Sequence, residues 1–309
     1  MHRYIIKRIL LLIPIMLAVS FIVYFIVDLA PGDAIDAIYG NEISLEQKEE
    51  LREELGYNDP LLVRYARYMK DVLRGDMGVS ASYHEPVLKL YFNRFPATLQ
   101  LAFWSIVVAL AIAIPLGIVA AVHQNSWIDS SSTVLGLIGL SMPNFWFGLI
   151  LIIIFAQYLG WLPSFGNQQW NSIILPALTL GTEQAALLIR TTRSSMLEVV
   201  RQDYLRTARA KGVDEGTVIY RHALRNALIP IITAAGNQLS ITLGGSVVTE
   251  TVFAWPGAGK LIIDAFYARD TTLVVGCLIL TTAFASILMM LVDIIYAFVD
   301  PRIRARYSK

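Results

Sequence analysis

The sequence predicts an all-α polytopic membrane protein with six transmembrane helices, and three observations carry that prediction. Apolar stretches of spanning length recur along the chain, and the charged residues gather in the segments between them. The chain is also 56% hydrophobic and only 16% charged over 309 residues, with a mean hydropathy of +0.57, too little charge to cover a soluble domain of this size. Crossing a bilayer takes about 20 residues of helix. Six runs qualify: residues 9–27, 99–122, 134–159, 173–189, 228–248 and 273–299, the fourth interrupted by Thr182, Glu183 and Gln184.

The first run follows His2, Arg3, Lys7 and Arg8 and superficially looks like a secretion signal. Its apolar stretch is longer than the roughly 7–15 residues of a cleaved signal core, and no small-x-small cleavage site follows, so a retained first helix is expected over 1–28 with its short tail. Residues 29–98 then form the one segment long enough for a subdomain outside the membrane. Within it, SLEQKEELREEL (44–55) reads as a surface helix, with Ser44 as N-cap and Gln47 at the capping-box position. A second helix over 61–73 is expected to present Leu62, Tyr65, Ala66, Met69 and Val72 on one face. Gly75, Gly78 and Pro86 break the remainder into loops. This subdomain reads as a lid on the helix ends or as a contact for a solute-binding protein.

Lys and Arg near the ends of apolar helices set their orientation. The N-terminal tail has three, residues 190–225 have eight, and the C-terminal tail (300–309) has four, Arg302, Arg304, Arg306 and Lys309. Loop 160–172 has none and loop 253–272 has two, whereas loop 123–133 has none and decides nothing. Six spans with both termini cytoplasmic satisfy this pattern, and they put residues 29–98 outside. Within the spans, Pro115 and Pro143 are candidate kinks, with Gly117 and Gly148 close by. Gly236, Gly244 and Gly245 with Ser240 and Ser246 give the fifth span a small-residue face for close helix approach, toward a pathway or a partner subunit. Trp146, Tyr158, Trp161, Trp170 and Trp255 fall mostly near span ends, as in an interfacial aromatic belt.

The most informative segment is DYLRTARAKGVDEGTVIYRHALRNALIP (203–230), a charged helical stretch between two apolar ones. Arg206, Arg209, Lys211, Arg221 and Arg225 face only Asp203, Asp214 and Glu215, and Gly212 interrupts it as between two short helices. Basic residues beside a membrane bind anionic lipid, but that alone does not account for the buried-looking Tyr204, Leu205, Ala208 and Val213 around a glycine turn. The segment resembles the cytoplasmic coupling loop of ABC-transporter permeases, whose signature has Gly four residues after the last Ala of Glu-Ala-Ala. Ala208 and Gly212 keep that spacing and Leu224 falls at the signature's Leu, whereas Arg206, Thr207 and Arg225 replace its Glu, Ala and Pro. The form ARAKG…RHALRNALIP is similar to the dipeptide/oligopeptide/nickel branch. So are PGDA (31–34), RFPATLQLA (94–102), SMPNFWFGL (141–149), ETVFAWPGAGKLIIDAFYARD (250–270) and DPRIR (300–304).

That resemblance implies a type I ABC importer permease fold, with a core over 99–299 and a coupling loop over 203–225. It implies a subunit of an ATP-driven, binding-protein-dependent importer in the cell's inner membrane, most often for di- or oligopeptides, otherwise for nickel or metal chelates or glutathione. It also implies partners: a homologous second permease, two cytoplasmic ATPases that hold ATP and Mg, and an extracytoplasmic solute-binding protein. Leu205, Ala208, Arg209, Gly212, Val213 and Asp214 are the expected ATPase-docking residues, and Glu183, Gln238, Ser240 and Gly244 the candidate pathway residues.

Other chemistries find little support. PGAGK (256–260) has Ala254 where a phosphate-cradling loop needs Gly and Leu261 where it needs Ser or Thr, so it reads as a turn before a short reentrant or surface helix over 260–268. The four His lie in separate segments without metal-ligand spacing, and Asp293 and Asp300 have no metal-ligand companions nearby. No nucleophile elbow is present. No catalytic residue, metal site or cofactor in this chain is expected, the single Cys277 permits no disulfide within it, and a net charge of +1 gives no case for nucleic acid. An ion-coupled secondary transporter is the alternative class, but one mid-span Glu without inverted repeats supports it poorly. Glu183 carries the sharper signal, because an ionised side chain at mid-span costs about 2.5–3.5 kcal/mol on the insertion scale. It would attract a cationic group in the pathway or pair with a polar group on a neighbouring helix or subunit. Glu250, Arg190 and Arg193 read as helix-end and interface charges.

Overall fold

The computed structural model describes residues 2–29, 34–39, 42–54 and 56–299. PGD of the first motif, Asp300 and the tail residues Arg302, Arg304, Arg306 and Lys309 lie outside them. Among the described residues the chain is helical, with no strand and one isolated antiparallel bridge between Val79 and Pro86. Four helical segments are long and apolar enough to cross a membrane: Val87–Val122, Trp170–Val200, Thr217–Gly244 and Thr271–Val292. The expected first and third spans correspond to shorter apolar stretches, Ile13–Asp28 and Asn144–Tyr158. Among the described residues the chain divides into two compact units, one comprising residues 99–255 and 287–299, the other drawn from 2–98 and 256–286.

The second of these units is built from α1 (His2–Asp28), α2 (Ala34–Tyr39), α3 (Leu45–Glu54), α4 (Leu61–Leu73), the start of α5 (Val87–Val122), α12 (Ala258–Tyr267) and the start of α13 (Thr271–Val299). The capping box forms as expected: the Ser44 amide donates to Gln47 Oε1 (3.0 Å) and the Gln47 amide to Ser44 Oγ (3.2 Å). Helix α4 has the expected bounds but a different inner face. Leu61, Tyr65, Tyr68 and Met69 pack inward, whereas Leu62 and Ala66 are exposed. Tyr65 Oη reaches the Leu17 carbonyl (3.0 Å) and Arg64 pairs with Asp28 (2.6 Å), and these bonds fix the face that turns to α1. Asp270, wholly enclosed, accepts from Ser80 Oγ (2.6 Å) and the Ser82 amide (3.0 Å), and its other oxygen caps α13 at the Leu273 amide (3.0 Å). Helix α12 is not a surface helix: Ala258, Leu261, Ile262 and Ala265 are buried with Val87, Tyr91 and Leu273. It begins two residues early because Thr98 Oγ1 accepts from the Ala258 amide (2.8 Å), and Lys260 pairs along the helix with Asp264 (2.6 Å).

The other unit centres on α8 (Ile174–Val200), which packs on α6 (Trp127–Ser141), α7 (Asn144–Leu151) and α10 (Leu224–Gly245). It also carries the rest of α5, α9 (Asp203–Ala210), α11 (Val247–Val252) and π-helical turns at Ile152–Tyr158 and Thr217–Ala223. Pro143 does not kink a continuous third span but divides it. Met142 and Pro143 are both extended (ψ 125° and 131°), because the proline ring bars its predecessor from the helical region and removes a donor. Pro115 stays within α5. Gly181 lets α5 approach α8: a Cβ there would meet Val108 Cγ1 at 2.6 Å and the Ser105 carbonyl oxygen at 2.8 Å.

The small-residue face of α10 packs partly within the chain. A Cβ at Gly236 would meet Val292 of α13 at 2.6 Å, Ser240 is buried with its hydroxyl bonded to the Gly236 carbonyl (3.1 Å), and Gly244 faces open space. Glu250 is not an interface charge. It is fully buried on α11 and accepts from Ser246 Oγ (2.9 Å). Trp255 is likewise buried, which removes it from the expected belt, whereas Trp146, Tyr158, Trp161 and Trp170 are exposed.

Candidate coupling loop and pathway

The charged insert folds as a helix–turn–helix closed on itself. Helix α9 ends in a complete Schellman motif: the Gly212 amide donates to the Arg209 carbonyl (2.9 Å) and the Val213 amide to the Ala208 carbonyl (3.2 Å). That motif needs a left-handed residue at its hinge, and Gly212 supplies it at φ +75°. The chain re-enters helix at once, with Asp214 Oδ2 capping the Thr217 amide (3.2 Å). Across the turn Arg209 grips Glu215 with two parallel bonds, Nε to Oε2 at 3.0 Å and Nη2 to Oε1 at 2.8 Å. This guanidinium holds the Glu215 carboxyl below the ordinary carboxylate range, so the clasp stays charged at neutral pH.

The inner side of the loop is seated on the ends of the long helices. Leu205 is 0% exposed, in a cluster with Ile118, Met196, Val218, Ala223 and Ala227, and Ala208 and Val213 pack against the same cluster. Burying a leucine contributes about 1.5–3 kcal/mol. Tyr204 is exposed rather than buried, and its hydroxyl accepts from Asn226 Nδ2 of α10 (2.8 Å). Of the six expected docking residues, Gly212 and Asp214 are exposed and Arg209 belongs to the clasp. Leu205 is sealed inside and acts as an anchor, because the amphipathic α9 turns its apolar side to the long helices. The outward surface adds Arg206, at the position of the signature's Glu, and Lys211, Glu215 and Arg221, which the signature spacing does not mark.

Beside the loop's base lies a contact that the sequence analysis missed. Asp129, on the first turn of α6 and 5% exposed, receives Arg193 Nε at 2.6 Å and Nη2 at 2.7 Å. It also accepts from the Asn125 amide (2.9 Å). Ser126 caps this helix and puts Asp129 at its third position, a spacing that could have flagged an ordered carboxylate. Arg193 is therefore a clamp between α6 and α8 rather than a free helix-end charge.

The candidate pathway residues separate into two groups. Glu183 and Gln238 line one cavity of about 140 Å³, whereas Ser240 and Gly244 lie apart from it. Asn144 Nδ2 donates to Glu183 Oε2 at 2.5 Å. The neighbouring Gln184 is buried and donates to Ser105 Oγ (3.3 Å) and Thr242 Oγ1 (2.8 Å), a separate tie among α5, α8 and α10.

Comparison with known proteins now decides the family. Residues 113–305 match the family described as binding-protein-dependent transport system inner membrane component, and residues 1–102 match its N-terminal companion family. The chain belongs to this binding-protein-dependent permease family. It is 40% identical to the dipeptide transport system permease protein DppB of Alkalihalophilus pseudofirmus, over 98% of this chain and 100% of that one. It is 41% identical to the glutathione transport system permease protein GsiC of Escherichia coli K12, over 98% and 99% respectively. A chain of the inward-facing MetNI methionine ABC transporter superposes on 68% of this permease and 96% of itself, with a TM-score of 0.60 and 20% identity, a likeness of fold.

Proposed function

We propose that this permease is one transmembrane subunit of an ATP-driven, binding-protein-dependent importer of di- and oligopeptides. It spans the inner membrane six times with both termini in the cytoplasm and exposes residues 29–98 outside as the face toward a solute-binding protein. A homologous second permease completes the path, and two cytoplasmic ATPases hold ATP and Mg. Residues 99–299 form the permease core and residues 203–225 the coupling loop. The peptide assignment rests on the names of full-length relatives at about 40% identity. The glutathione permease among them favours a second reading, glutathione, itself a small peptide.

One observation carries the reading: a loop made rigid by the Arg209–Glu215 clasp and rooted by the buried Leu205 joins the inner ends of α8 and α10. A push on its exposed turn is passed to both helices as a lever, since a packed anchor moves with the elements it touches. ATP binding by the ATPases would close them on this turn and swing the path from inward- to outward-facing, and hydrolysis would reset it. The test is mass spectrometry of the tagged chain, purified from native membranes in mild detergent. Recovery of two ATPases and a second permease is expected. Recovery of the chain alone, moving solute in liposomes without ATP, would overturn the reading in favour of an ion-coupled carrier.

A further inference from the structure

Glu183 sits on α8 at mid-span, half-buried, and its hydrogen bond among the described residues comes from Asn144, a neutral amide. A neutral donor orients a carboxylate but leaves its charge uncompensated, an expensive state within a membrane. Asn144 is a polar partner on a neighbouring helix, as a structural role would have, but among the described residues no cation pairs with the carboxylate. The cavity that Glu183 lines also has Thr133 and Gly136 of α6 and Gln238 of α10, and its rim is formed by the exposed Leu187 and Arg190. Neither the Gln238 amide nor the Arg190 guanidinium makes a hydrogen bond or ion pair among the described residues. The niche therefore presents one unneutralised anion, one open amide and, at its edge, one unneutralised cation.

The spacing of the two charges is informative. Seven residues separate Glu183 from Arg190, close to two helical turns, so both point the same way with a rise of about 10 Å between them. An extended residue spans about 3.3–3.6 Å, so the ends of a di- or tripeptide lie roughly 7–10 Å apart, within reach of both side chains. A volume of about 140 Å³ takes an end group and its first atoms, not a whole peptide.

We propose that this niche receives the free α-ammonium group of a transported short peptide on Glu183, with Arg190 at its rim taking the carboxylate. The proposal rests on the importer reading and adds to it a zwitterion filter in the permease itself, separate from the solute-binding protein. Asn144 fixes the Glu183 carboxylate, and the Gln238 carbonyl oxygen offers the ammonium a second acceptor.

The complex, with its binding protein at saturation, is reconstituted in proteoliposomes, and uptake is compared for a dipeptide and its N-acetylated form. Each peptide's affinity for the binding protein is measured separately. Glu183→Gln is expected to lower uptake of the free-amine peptide about tenfold or more, the effect of losing a charge-assisted bond. It should leave the already slow uptake of the N-acetylated peptide unchanged, and Glu183→Asp should restore most of the loss. Equal loss for both peptides, or no loss for either, would overturn the proposal. If Glu183→Gln fails to assemble, the wild-type complex still decides, because equal maximal uptake of both peptides once bound contradicts the filter. Absence of any ATP-dependent uptake by the wild-type complex would instead strike the importer reading.

Discussion

Gly212→Pro is expected to leave the chain in the membrane and to abolish ATP-dependent uptake. Proline fixes φ near −65°, whereas the turn holds residue 212 at +75°, and proline also removes the amide that donates to the Arg209 carbonyl. The Schellman closure is lost, the Arg209–Glu215 clasp loses its register, and the exposed turn no longer transmits force to α8 and α10. No part of a long apolar helix is altered, so insertion proceeds. The loss should approach a hundredfold, toward the upper end of what a coupling free energy of about 3 kcal/mol supplies. Ala208→Glu reaches the same end by another route. It forces a charge into the cluster around Leu205 and Met196 and lifts α9 off its seat. Membrane yield measured beside uptake checks both variants, and normal transport by either would remove the loop from the mechanism.

Asp129→Ala is expected to weaken the fold instead of the coupling. The bidentate pair with Arg193 ties α6 to α8, and breaking a fully buried pair costs about 3–5 kcal/mol because the surviving charge is stranded. Arg193 keeps 29% of its side chain exposed and can turn outward, so a loss of about 2–3 kcal/mol is expected here. Thermal unfolding in detergent should show it, and the double variant with Arg193→Ala should be less damaged than the sum of the single ones. Strict additivity would mean that the pair contributes nothing. The hydrogen bonds from Arg193 hold the Asp129 carboxyl below its ordinary range. Its contribution is therefore present above the unfolded carboxylate value and is lost only as pH falls through the lowered one.

Local chemistry was legible in the sequence where neighbours along the chain decide it. The Ser44–Gln47 box, the bounds of α4, the glycine turn at 212 and the apolar runs all depend on residues within a few positions of one another. What escaped depends on residues far apart. Asp129 and Arg193, Asn144 and Glu183, and Gln184 with Ser105 and Thr242 meet only after the helices pack, and nothing in their spacing announces the pairing. The burial of Tyr204, Glu250 and Trp255 was misjudged for the same reason: position along a helix gives a face, not what covers it. The expected docking set mixes residues that present the turn, Gly212 and Asp214, with Leu205, which roots it.

The central claim is that the exposed turn of this loop touches an ATPase. The direct test places a benzophenone maleimide on Lys211→Cys in the purified complex and irradiates it. Lys211 is exposed beside Gly212, and this chain's single native thiol, Cys277, is buried, so labelling within the chain is confined to the turn. A covalent adduct between this chain and an ATPase subunit is predicted. Adducts with lipid alone, from a complex in which the ATPases are present, would contradict it.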